Sequence, residues 1–205
     1  MSMVTAPETE TPLPKPEGLE GVVAASTALS HVFGEEGKLV YRGYDIHELA
    51  GKASFEEVAH LLWIGHLPTA SELAEFQGKL EKNRSLPPAV IDVLRLLPDD
   101  TAPMDALRTG LSALGAVDHT TFDDTPDLDE AIAVAARFPG ILAAFFRLRS
   151  GEEPVAPKAG HNTAQSYLWQ LFGTEPEERH WKPLETYLTL LAEHGMNAST
   201  FTTYV

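Results

Sequence analysis

Two histidines stand where an imidazole could do chemistry. His194 lies in Ala192-Glu193-His194-Gly195-Met196-Asn197-Ala198-Ser199-Thr200-Phe201. The preceding run, Pro183 to Leu191, repeats Leu184, Tyr187, Leu188 and Leu191 at three- and four-residue spacing. With proline in its first turn and Gly195 beyond its end, it predicts a helix over 183–194 with His194 in the last turn. In that position the negative end of the helix dipole raises the proton affinity of the ring, and unpaired carbonyls can fix its orientation. The same placement serves a simple C-terminal cap. His161 opens a second predicted helix, His161 to Trp169, just after Pro157 and Gly160. A helix start presents free N–H groups and positive dipole, which suits a bound carboxylate. Structural capping by Asn162 is the alternative.

The other six histidines, His31, His47, His60, His66, His119 and His180, have no partner at metal-ligand spacing, so structural or solvated roles are expected for them and no metal is implied. Arg42, Arg108, Arg137, Arg147 and Arg149 could hold anions, but nearby acids and surface-facing positions predict solvated side chains. The acidic run Asp118 to Glu130 reads as a loop followed by a helix start, where carboxylates are favoured by the dipole. There is no cysteine, which excludes disulfides and thiolate sites. A formal charge of −15 argues against a nucleic-acid partner, because a duplex binder needs a basic face.

These residues need a scaffold, and the hydrophobic pattern supplies one. Apolar residues make up 43% and charged residues 22% of 205 residues, enough for one sizeable core. Residues 1–17 hold prolines without apolar periodicity and read as a mobile arm. Strand character is confined to Gly21–Tyr44, at Val22-Val23, Val32-Phe33 and Leu39-Val40-Tyr41 beside Gly34, Gly37 and Gly43, which predicts a small antiparallel element. Ser54-x-x-Glu57 and Thr69-x-x-Glu72 are capping boxes that each open a helix. The first helix should bury Val58, Leu61 and Leu62 and stop before Pro68, and the second should bury Leu73, Phe76 and Leu80 and end near Asn83. Further helices are predicted at about 88–97, 103–116, 128–149, 162–172 and 183–194, with a kink or break at Pro139-Gly140. The architecture is therefore all-α with a small N-terminal antiparallel β element. Ala131 to Leu148 is apolar nearly all round and belongs at the centre of a helical bundle. The predicted break makes that helix unsuitable for a bilayer, and the N-terminus lacks a basic-then-apolar signal, so a soluble, cytoplasmic chain without membrane contact is expected. Gly110, Ser112, Ala113, Gly115 and Ala116 cluster on the 103–116 helix, where small residues permit close packing inside the chain or against a second subunit.

Five segments in order carry a resemblance. They are Gly18–Ser30 (GLEGVVAASTALS), Leu39–Ala50 (LVYRGYDIHELA), Phe55–Pro68 (FEEVAHLLWIGHLP), Pro103–Gly115 (PMDALRTGLSALG) and Ala192–Phe201 (AEHGMNASTF). Together they resemble citrate synthases and 2-methylcitrate synthases over residues 18–205, the N-terminal part of the family's large helical domain. The resemblance implies condensation of acetyl-CoA with oxaloacetate, followed by hydrolysis of the citryl thioester. No prosthetic group is implied, acetyl-CoA being a substrate, and a homodimer is. It makes His194 the first catalytic histidine, hydrogen-bonded to the thioester oxygen, and places His161 on the oxaloacetate-contacting helix. The family's second histidine, in a Gly-Pro-x-His-Gly segment, its aspartate base, its arginine clamp and its smaller domain all follow the stretch matched here. The chain alone is therefore expected to be inactive. Propionyl-CoA in place of acetyl-CoA, one subunit of a split enzyme, and a non-catalytic helical interaction domain are the competing readings.

Overall fold

The computed structural model describes residues 25–118 and 127–204. The arm 1–17, the pair Val22-Val23, His119 and the middle of the acidic run lie outside the described residues. Three short strands, β1 (Ser30–Phe33), β2 (Lys38–Tyr41) and β3 (Tyr44–Asp45), form one antiparallel sheet in the order β1-β2-β3. Ser30 pairs with Tyr41, and Tyr41 pairs in turn with Tyr44 across the two-residue Arg42-Gly43 turn. Both turn residues have positive φ, 47° at Arg42 and 92° at Gly43, the geometry that suits the twist of a tight hairpin. Arg42 is a non-glycine in a sparsely allowed region, and two hydrogen bonds from its guanidinium to the Leu62 carbonyl hold it there.

Nine helices follow among the described residues, so the all-α architecture with a small β element stands. They are α1 (Ile46–Leu49), α2 (Phe55–Ile64), α3 (Ala70–Asn83), α4 (Pro88–Arg95), α5 (Pro103–Val117), α6 (Leu128–Arg149), α7 (Thr163–Phe172), α8 (Glu178–Leu190) and α9 (Ala198–Tyr204). Both anticipated capping boxes are formed, with Ser54 and Thr69 accepting from Glu57 and Glu72 N–H groups while the glutamates return to the cap backbone. Two more appear, Asp127 with Glu130 on α6 and Asn162 with Gln165 on α7. Each such cap contributes about 1 kcal/mol. Val58, Leu61, Leu62, Phe76 and Leu80 are buried as their spacing requires, whereas Leu73 is only half-buried.

α6 is the central element and packs against α3, α4, α5 and α7. It runs unbroken through Pro139, so the expected break does not occur. By length and composition alone it could cross a membrane, yet Ile132, Ala136, Ile141 and Phe145 are buried among the surrounding helices. Gly110 of α5 is buried against α6 and α4, where an added Cβ would lie 2.6 Å from Ile141 Cγ2 and 3.3 Å from Leu94 Cδ2. At this glycine the small-residue stripe serves packing inside the chain.

Candidate functional site

His194 is not where the periodicity put it. α8 begins at Glu178 and ends at Leu190, so Pro183 lies inside the helix and His194 falls in the connection to α9. Pro183 is tolerated because it is exposed, leaving the carbonyl it cannot serve open to water. His194 is itself exposed, and no hydrogen bond fixes its ring among the described residues. His194 therefore lies beyond the last turn of α8 and caps no helix end, which corrects the expected last-turn placement.

The backbone that carries His194 is held from a distance. Tyr41, fully buried on β2, directs its hydroxyl at the carbonyls of Leu190 (3.0 Å) and Glu193 (2.9 Å) and accepts from the Glu193 N–H at 3.2 Å. Ser30 Oγ donates to Glu193 Oε1 at 3.2 Å, and the same oxygen accepts from the Gly195 N–H. Burial pushes the Tyr41 phenol up from its ordinary value, outweighing the backbone hydrogen bond at Glu193, so it stays a neutral hydroxyl.

His161 occupies a different environment. It is 9% exposed and precedes α7, whose N-cap is Asn162 as the capping alternative supposed. Its Nε2 lies 2.9 Å from Glu175 Oε1, its ring meets Trp169 edge-on, and its carbonyl accepts from Arg84 Nη1. The positive end of α7 is already occupied by a carboxylate of the protein. Glu56, fully buried, accepts from the N–H and the hydroxyl of Thr163, both at 2.7 Å. Arg84, 3% exposed, approaches the same carboxylate at 3.9 Å. Two atoms of this group, Glu56 Oε2 and His161 Nδ1, are buried without a hydrogen-bond partner among the described residues. Burial and the neighbouring charges of Glu56 and Glu57 push the Glu185 carboxyl up, while Asn162 donates to it. Lys158 and His161 hold the exposed Glu175 carboxyl below its ordinary value.

No described contact joins His161 to His194. One lies at the start of α7 and the other beyond the end of α8. Glu56, Arg84 and Tyr41 were not singled out from the sequence. Glu56 reads there as one of two acids in a helix's first turn, and only its register with Ala59 and His60 on the inward face hints at burial.

The arginines also differ from expectation. Arg108 pairs with Asp105 at the surface as foreseen, and Arg149 is exposed. Arg137 instead forms a largely buried pair with Asp118 at 2.9 Å, Arg147 ties the end of α6 to the Glu153 and Leu171 carbonyls, and Arg42 caps α2. His60 is structural, with Nδ1 2.9 Å from the His66 carbonyl and its ring stacked on His66. His31, His47 and His180 are solvated.

A cavity of about 440 Å³ opens between α2, α3, α6, α7 and α8, lined by Trp63, Phe76, Phe138, Tyr167 and Leu188 among others. Trp63, Thr163, Tyr167 and Tyr187 bring its polar side-chain groups, and no charged side chain lines it among the described residues. Such a wall cannot repay the desolvation of a dicarboxylate or of phosphates.

Residues 18–205 match the sequence family described as citrate synthase, C-terminal domain. The chain belongs to the citrate synthase family. It is 45% identical over 194 residues to the citrate synthase of Haloferax volcanii, an alignment covering 92% of this chain and 51% of that protein. It is 41% identical over 198 residues to a 2-methylcitrate synthase of Mycobacterium tuberculosis, covering 97% and 50%. Among solved structures, citrate synthase from Thermotoga maritima superposes with a TM-score of 0.78 at 38% identity, over 90% of this chain and 48% of that one. A Thermoplasma acidophilum citrate synthase, described as a ternary complex with carboxymethyl coenzyme A and oxaloacetate, superposes with a TM-score of 0.82 at 27% identity, over 90% of this chain and 50% of that one. The chain thus spans about half the length of the relatives it matches.

Proposed function

We propose that this chain is the N-terminal part of the large domain of a citrate synthase-type acyltransferase, and that it condenses oxaloacetate with acetyl-CoA once the rest of the family's length completes the site. The observation that carries the reading is the match over residues 18–205, which includes the Ala192–Phe201 segment around His194. The Thermoplasma complex supports the substrate pair. Relatives of both kinds, citrate and 2-methylcitrate synthases, stand at similar identity, so propionyl-CoA is the alternative acyl donor.

The reaction removes a proton from the thioester methyl group, adds the resulting enolate carbon to the oxaloacetate carbonyl, and hydrolyses the product thioester to release the CoA thiol. Its demand is a base and donors at the developing oxyanion. His194 is proposed as a substrate-touching donor. Exposed as it stands, it is worth little in that role until water is excluded around it, because electrostatic stabilisation depends on a dry, low-dielectric site. Closure by the other half of the family's length supplies that exclusion. His161, already bound to Glu175 beside a helix start filled by Glu56, is proposed to act on oxaloacetate binding by positioning α7. A cytoplasmic homodimer belongs to the same proposal. Its α5 contact would use the exposed Met104, Arg108, Ser112 and Ala116 face, since Gly110 points inward.

The test is thiol release from acetyl-CoA with oxaloacetate, by the chain alone and by the chain completed with the half it does not span. The isolated chain should be inactive and the completed enzyme active. In the completed enzyme His194→Ala should lower kcat by about 10²-fold or more. A loss confined to oxaloacetate KM would move His194 from the thioester oxygen to the oxaloacetate, and undiminished kcat and KM would remove it from the site.

A further inference from the structure

The small sheet is remote in sequence from the catalytic-looking segment, yet its central strand reaches into it. Tyr41 is separated from Leu190 and Glu193 by 149 and 152 residues, and its side chain is fully buried. Its hydroxyl hydrogen is shared between the Leu190 and Glu193 carbonyls, while its oxygen accepts the Glu193 N–H. One phenol therefore serves the last residue of α8 and both backbone groups of the residue before His194. A second tie comes from Ser30, which pairs with Tyr41 across the sheet and donates to the Glu193 carboxylate. That carboxylate also accepts the Gly195 N–H, so the backbone is bound on both sides of His194. Gly195 takes φ +82°, a conformation that turns the chain sharply there.

We infer that Tyr41, supported by Ser30 through Glu193, is a positioning residue that sets the place of the His194 imidazole. The ring makes no hydrogen bond of its own among the described residues, so its position is inherited from the backbone that Tyr41 grips. A loop carrying a reactive group gains precision only where something rigid supports it. Here the support is an antiparallel strand whose register is fixed by pairing on both edges. The tight Arg42-Gly43 turn next to Tyr41 is anchored in turn to the end of α2. The inference concerns the backbone in its first part and rests on the proposed role of His194 in its second.

Tyr41→Phe tests it, because the ring stays to fill the core and only the hydroxyl goes. In the chain itself, amide hydrogen exchange should quicken about tenfold at Glu193 and Gly195 while α6 amides keep their rates, the loss of one net hydrogen bond. Ser30→Ala should quicken Gly195 alone. In the completed enzyme Tyr41→Phe should lower kcat about tenfold with little change in substrate KM, and adding Ser30→Ala should lower it further. Unchanged exchange at Glu193 and Gly195 overturns the clasp. Quickened exchange with unaltered kcat, in an enzyme that His194→Ala inactivates, overturns the positioning role. Full activity of His194→Ala instead sinks the reading of His194, while the exchange result still decides whether Tyr41 holds the loop.

Discussion

Glu56 places a fully buried carboxylate of the protein itself at the start of α7. A helix start is a good place for a substrate carboxylate, and His161 stands at one. The fold has put its own carboxylate there, held by Thr163 and faced by Arg84, with a second acid, Glu185, close enough to have its carboxyl pushed up by burial and by the charges of Glu56 and Glu57. A raised carboxyl costs stability where the unfolded chain would ionise freely. The cost is absent below about pH 4, the ordinary glutamate range, and grows to its full size once pH passes the higher folded value. Glu185→Gln should therefore raise the melting temperature at pH 7, and the gain should vanish at pH 4, as followed by circular dichroism. An equal gain at both pH values would show that charge is not the cause. The capping role of Asn162 was legible because an N-cap is local chemistry. Glu56 and Arg84 were not, because their partners lie about 100 and 80 residues away and only folding brings them together.

Among the elements, starts were easier to read than ends. Ser54, Thr69 and the proline starts at Pro88 and Pro103 mark helix beginnings that the structure reproduces. α8 defeated the same logic twice. Pro183 read as a first-turn proline but lies on the exposed face of a helix already five residues old, and Gly195 read as the stop, although the helix ends at Leu190 where Tyr41 takes the carbonyl. A stop imposed by a tertiary contact leaves no local mark. The α5–α6 contact is the counterpart in packing. Gly110→Ala would place a methyl against the fully buried Ile141, an overpacking that should cost about 1–3 kcal/mol in urea denaturation. Combining it with Ile141→Ala should cost less than the sum of the two single changes. Simple additivity would mean that α6 yields elsewhere.

At the scale of the molecule, the apolar cavity is the feature composition could not announce. Its residues come from five helices, and each looks like ordinary core in its own segment. About 440 Å³ is far more than the water-sized voids of a close-packed interior. The isolated chain should bind an apolar fluorescent dye there, and Leu188→Glu should abolish the emission without unfolding the chain. Dye binding untouched by that change would place the apolar surface elsewhere, for example at the exposed Phe172. Pro139 gives this wall a chemical preference. It cannot donate the helix hydrogen bond due to Ala135, so the Ala135 carbonyl lacks its helical donor, and both residues line the cavity together with the polar groups of Trp63, Thr163, Tyr167 and Tyr187. A purely hydrocarbon occupant leaves that oxygen unmatched, whereas one carrying a single N–H or O–H in register gains about 1 kcal/mol, close to tenfold in affinity. The proline that a helix would ordinarily reject thus adds a backbone acceptor to the few polar groups of a largely apolar wall.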